Sequence, residues 1–94
     1  MVNRARVGRY YEHKSKALLE KQGYHVTRSA ASQGLFDLIA ANELDVLLIQ
    51  VKTRDWPYGE EMKALRAFKV PPCCKKIIHR WRKGQREPDV KEVD

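Results

Sequence analysis

The stretch FDLIAANELDVLLIQVKT, residues 36–53, decides the fold. Two runs rich in Leu, Ile, Val and Ala flank the short polar segment Asn42-Glu43-Leu44-Asp45. β-rich runs of this length, bounded by turn-forming residues, predict a hairpin with strands over 35–41 and 45–53. Both strands are apolar on both faces, as expected of central strands covered on two sides. Asp37, Gln50 and Lys52 stand out against that background. A polar side chain inside an apolar sheet costs free energy unless something pairs with it, so these three are either satisfied structurally or hold a ligand.

The turn fixes which residues meet. With the hairpin centred between Glu43 and Leu44, Ala41 faces Val46, Ile39 faces Leu48, Asp37 faces Gln50 and Leu35 faces Lys52. Opposed residues of an antiparallel pair share a face with Cβ atoms ~5 Å apart, and the period of two puts Gln50 and Lys52 on that same face. An acid, an amide and an amine therefore collect at the end of the hairpin away from the turn.

Working outward, residues 5–22 have helix-forming composition, with Val7, Tyr11, Leu18 and Gln22 on one face and Gly23 as the stop. The alternating segment YHVTRSA, 24–30, predicts the first strand and SQG, 32–34, a turn. PYGEEMKALRAFK, 57–69, predicts a second helix on which Met62, Leu65 and Phe68 share a face, ended by Pro71-Pro72. CKKIIHRWR and PDVKEV read as a final strand pair around the charged tip KGQRE. The order is α-β-β-β-α-β-β, an α/β chain with a mixed sheet, and 94 residues predict one domain, 1–94.

The charge narrows the function. Nineteen Lys and Arg against 12 Asp and Glu give a net charge of +7. The basic residues cluster and aromatics lie among them, so a polyanion such as nucleic acid is the expected partner, with a merely solvated basic surface as the alternative. No apolar run is long enough for a membrane span, and no secretory segment follows the N-terminus. The adjacent Cys73 and Cys74 suit neither a routine disulfide nor a zinc site. A cytoplasmic protein of nucleic-acid metabolism is the expectation. His13, His25 and His79 lack metal-ligand spacing and read as surface or half-buried; Trp56 and Trp81 read as packing residues before base-stacking ones.

A carboxylate and an amide carbonyl are hard oxygen ligands suited to Mg²⁺, with Mn²⁺ as the alternative. The Val51 main-chain carbonyl offers a third, and a neighbouring lysine can orient water and stabilise charge developing on a phosphate oxygen. An Asp37–Lys52 ion pair with no ligand is the competing explanation.

Asp37, then Gln50-Val51-Lys52 on the next strand, resembles the PD-(D/E)xK nuclease superfamily. Upstream, GRYYEHKSKALLEKQGYHVTRSAASQGLFDLIA is similar to the N-terminal half of archaeal-type Holliday-junction resolvases, with Glu12 at their first-helix glutamate and Arg28, Ser29 and Ser32 in an Arg-Ser-Ala-x-Ser run. The likeness covers residues 8–53 and loosely the second helix. It implies a restriction-endonuclease-like core, a Mg²⁺-dependent endonuclease acting on branched DNA, and a homodimer, since two symmetric cuts suit a two-fold axis. It implies Asp37, Gln50 and Val51 as metal ligands with Glu12 assisting, Lys52 and Ser32 at the reacting phosphate, and Arg4, Arg6, Arg9, Arg28, Ser29 and Arg54 on the DNA. Position 50 departs from the usual glutamate, and the residue before Asp37 is Phe36, not proline. The other readings are a catalytically silent nucleic-acid-binding module of the same fold and a general repair or defence nuclease.

Overall fold

A computed structural model describes residues 4–29 and 34–94, with side chains from residue 7 onward. Helix α1 (Arg4–Lys21) leads into strands β1 (His25–Arg28), β2 (Leu38–Ala41) and β3 (Val46–Thr53). Helix α2 (Gly59–Ala67), β4 (Cys74–Trp81) and β5 (Asp89–Val93) follow. The sheet runs in sequence order, β1-β2-β3-β4-β5. Only β3 and β4 are parallel among its pairings, and α2 makes the crossover between them. The predicted element order and mixed sheet are those observed.

The hairpin register is the predicted one along β2: Ala41 opposes Val46 and Ile39 opposes Leu48. Asn42 sets it, because its Oδ1 accepts from the N–H groups of Leu44 and Asp45, both at 2.8 Å, while its own N–H bonds the Asp45 carbonyl at 3.0 Å. This is an Asx turn, the local geometry that favours Asn in such loops.

The register then breaks at the residue that matters. Asp37 lies just outside β2, and its N–H donates to the Ile49 carbonyl at 2.8 Å. Ile49 is already the partner of Leu38, so Asp37 and Leu38 crowd one residue of β3 in the manner of a bulge. The predicted opposition of Asp37 and Gln50 is replaced by an offset.

Each helix takes one face of the sheet. Leu19 of α1 packs with Val26, Leu38, Ala40, Leu47, Ile49 and Ile77. The buried stripe of α1 runs through Ser15 and Leu19 beside half-buried Tyr11, whereas predicted Gln22 is exposed and beyond the helix. Gly23, at φ 99°, ends α1 as expected, with Tyr24 N–H on the Leu19 carbonyl and Gly23 N–H on that of Glu20. Those two bonds make a Schellman cap, for which a left-handed glycine is the least strained residue.

On the other face Leu65 of α2 meets Ile78 and Val93, flanked by Leu35, Phe36, Trp56 and Met62. Phe68 leaves the predicted helical face: it is the C-cap residue and stands edge-on to Phe36. Nine residues of α2 do not reach across the sheet, so Ile39 on β2 stays 44% exposed and the expected two-sided cover holds only near β3 and β4.

Two buried polar groups tie the helices down. Lys76 drives its ammonium into the end of α2, donating to the carbonyls of Leu65 (2.6 Å), Arg66 (3.1 Å) and Phe68 (2.9 Å). Positive charge at a helix C-terminus meets both the unpaired carbonyls and the helix dipole. On the opposite face Ser15 accepts from the indole N–H of Trp81 at 2.7 Å and lies 3.0 Å from His79 Nδ1. His79 is therefore core, not surface, and its desolvated ring has its pKa lowered to about 4. Trp81 is 1% exposed and stacked by Tyr11, as a packing tryptophan should be.

Candidate active site

The site forms where the offset aims Asp37 across the hairpin. Its Oδ2 accepts from the Val51 N–H at 2.7 Å, while its main-chain carbonyl accepts from Ser29 N–H at 2.9 Å. The Val51 main chain thus meets Asp37 through its N–H. Burial pushes the Asp37 carboxyl above the usual range; the Val51 N–H opposes that, Glu12 and Glu61 add to it, and Lys52 counters. The half-buried Asp37 carboxyl therefore feels the charges of Glu12, Glu61 and Lys52.

Gln50 shares its face of β3 with Lys52 and is buried. Its Nε2 donates to the Leu35 carbonyl at 3.2 Å, which orients the amide, and its Oε1 is buried without a partner. A buried oxygen left unpaired costs free energy, and this one lies on the hairpin end that carries Asp37 and Lys52. Lys52 does not pair with Asp37. Its Nζ contacts Glu61 Oε1 at 2.9 Å, so the simple Asp37–Lys52 ion pair is replaced by one reaching to α2. Glu12 is held from β1: both Nε and Nη2 of Arg28 donate to its Oε1, at 3.2 and 3.1 Å. Arg28 is thus engaged with a carboxylate inside the site.

Glu61 is the residue that sequence reasoning missed. The available signal was Glu60-Glu61 opening the helix that follows Lys52, where acids complement the helix N-terminus. Which of the two turns inward depends on how α2 lies on the sheet. Among the remaining candidates, Arg9 is exposed, and Arg54 is exposed with φ 76° and an Asp55 partner at 3.6 Å. Arg4 and Arg6 lie in α1, with side chains outside the described residues, as is Ser32 entirely. Trp56 is covered by the Arg80 guanidinium at 4.5 Å, which supports the packing reading.

A groove of about 810 Å³ runs between α1 and the ends of β3 and β4, with Val7, Tyr11 and Thr53 in its wall and Arg54, Asp55, Arg82 and Lys83 among its lining residues. Among the described residues, no three His, Cys, Asp or Glu side chains stand close enough to share a metal ion. The oxygen donors that fit one are the Asp37 carboxylate and the unpaired Gln50 Oε1, a hard set matched to Mg²⁺ or Mn²⁺.

A mixed sheet with a helix on each face, and Asp37, Gln50 and Lys52 at one hairpin end, define the restriction-endonuclease-like fold. Residues 3–63 match the family described as Archaeal holliday junction resolvase (hjc), and the chain belongs to that family. It is 45% identical over 53 residues to the crossover junction endodeoxyribonuclease Hjc of Methanocaldococcus jannaschii, a match covering 56% of this chain and 39% of that protein. The chain thus spans about two-fifths of that curated relative's length. A solved structure of Archaeoglobus fulgidus Hjc, a Holliday junction resolvase, superposes with a TM-score of 0.68 and 21% identity, over 92% of this chain and 70% of that one. Among the described residues no helix is long and apolar enough to cross a membrane.

Proposed function

We propose that this chain is a divalent-metal-dependent DNA endonuclease that cuts four-way junctions. The observation that carries the reading is the buried, unpaired Gln50 Oε1 on the hairpin end that also carries Asp37 and Lys52, in a chain of the resolvase family. Asp37 and Gln50 would hold Mg²⁺, with the Val51 carbonyl as a third donor; Mn²⁺ fits the same oxygens. When bound, Mg²⁺ supplies Lewis-acid polarisation of the phosphodiester.

The chain's own groups do the rest. Lys52, met by Glu61 at 2.9 Å in the metal-free chain, places a positive charge where the phosphate gains negative charge. Arg28, fixed by Glu12, presents a guanidinium to a neighbouring phosphate. As the family resemblance implies, Arg4, Arg6, Arg9, Ser29 and Arg54 would contact the DNA and Ser32 the scissile phosphate, and the exposed Arg82 and Lys83 of the groove would extend that contact. A homodimer would give two sites related by a two-fold axis, as paired nicks require.

One observation favours a second reading. The site has a single carboxylate on its own hairpin and no three-acid cluster among the described residues, which suits a silent junction-binding module. Cleavage of labelled four-way junction, duplex and single-stranded DNA with Mg²⁺ and with Mn²⁺, for the wild type beside Lys52→Ala, decides. Paired nicks in the junction alone, lost in the variant, support the resolvase. Cutting of all three substrates indicates a general nuclease, and salt-sensitive binding without cutting indicates the silent module.

A further inference from the structure

Position 50 of β3 is an amide, so the hairpin brings Asp37 alone as a carboxylate to the proposed metal. Helix α2 brings another. Glu61 lies in its first turn with Oε1 2.9 Å from Lys52 Nζ, and Asp37 lies in its field. Glu12 is differently placed, because two N–H groups of Arg28 converge on its Oε1 and neutralise it where it stands. The independent pointer to a ligand is Gln50: 7% exposed, oriented by Leu35, and with an Oε1 that no protein group meets. A buried unpaired oxygen two residues before Lys52 on the same face of β3, where Glu61 meets that lysine, has the chemistry of a hard-cation site.

We propose that Glu61 is the second carboxylate of this site, standing in for the acidic residue that β3 lacks at position 50, and that Asp37, Glu61 and Gln50 Oε1 together take a divalent cation of the Mg²⁺ or Mn²⁺ class. The assignment rests on the metal-nuclease reading. Glu61 exchanges its Lys52 contact for the cation, which frees the lysine to face the phosphate. A charge lost from a strand is thereby restored from the helix that follows it.

The test is calorimetric titration of Mn²⁺ into the full chain without DNA, for wild type, Asp37→Asn, Glu61→Gln, Glu61→Asp and Gln50→Glu/Glu61→Gln. Urea unfolding of each variant verifies the fold; Glu61 is half exposed and its removal should leave it intact. Glu61→Gln should weaken Mn²⁺ binding roughly 10- to 100-fold, the range seen when a group supporting a metal site is removed. Glu61→Asp, which keeps the charge but shortens the reach, should weaken it less. Gln50→Glu in the Glu61→Gln background should restore binding, because the strand then carries the charge itself. Wild-type affinity in Glu61→Gln, with binding lost in Asp37→Asn, would overturn the role of Glu61 and leave the metal site standing. Loss without rescue by Gln50→Glu would overturn the substitution argument. Absence of Mn²⁺ binding by the wild type would overturn the metal-nuclease reading and this assignment with it.

Discussion

Replacing Ser15 with Ala should destabilise the protein far more than loss of one oxygen on a helix normally does. The hydroxyl is wholly buried and serves two elements at once. It accepts from Trp81 Nε1 at 2.7 Å, so its own proton is free to go to His79 Nδ1 at 3.0 Å. His79 then keeps its ring proton on Nε2. Alanine leaves an indole N–H and an imidazole nitrogen without partners in the core between α1 and β4. Each orphan costs about 1–3 kcal/mol, so the pair costs roughly 2–6 kcal/mol. A folded protein has a total stability on the order of 5–15 kcal/mol, so the loss is a large share. Urea unfolding followed by tryptophan fluorescence measures it, since Trp81 is itself at the node. With a slope of about 1–3 kcal/mol per molar, the midpoint should fall by about 1 M or more. A loss below about 0.5 kcal/mol, the level of an ordinary surface substitution, would refute the claim that Ser15 bridges these rings. Glu12 lies one turn before Ser15, so a chain loosened here should also hold Glu12 less firmly on Arg28.

The remaining predictions concern the other buried charges. His79, with its pKa near 4 against an ordinary 6.5, is neutral in the folded chain where the unfolded chain takes a proton. Its contribution is intact above about pH 6.5 and is lost as pH falls toward 4, by about 3 kcal/mol in all; urea midpoints across that window should drop, and His79→Gln should flatten the drop. Asp37 has its carboxyl pushed upward mainly by burial, so its ionised form is disfavoured by the fold and stability declines as pH rises through that group's titration. Asp37→Asn can still accept from Val51 N–H, and calorimetric melting at pH 7 should show an equal or higher Tm while junction cleavage disappears. Lys76→Met keeps the aliphatic stem but leaves three carbonyls of the α2 terminus without their ammonium. A loss of about 2 kcal/mol is expected from charge-assisted bonds of this kind, together with faster amide exchange at Phe68, whose N–H closes the last turn on Ala64.

The sequence determined what depends on neighbours along the chain. Asn42 and the flanking apolar runs set the hairpin and its register, and Gly23 stops α1, because these are local matters of turn geometry and backbone conformation. The same local pattern placed Asp37, Gln50 and Lys52 at one end of one hairpin, and the helical run before β1 carried Glu12 toward them. Tertiary structure decided what those groups touch. The offset at Asp37 arises where the chain enters β2 from β1, and it exchanges a place opposite Gln50 for a bond to Val51. The docking of α2 selected Glu61 as the partner of Lys52, and that of α1 made His79 and Ser15 core groups. A residue's period along the chain tells which face it is on. It does not tell which side chain from a distant element arrives to meet it, because that follows from how the helices pack on the sheet.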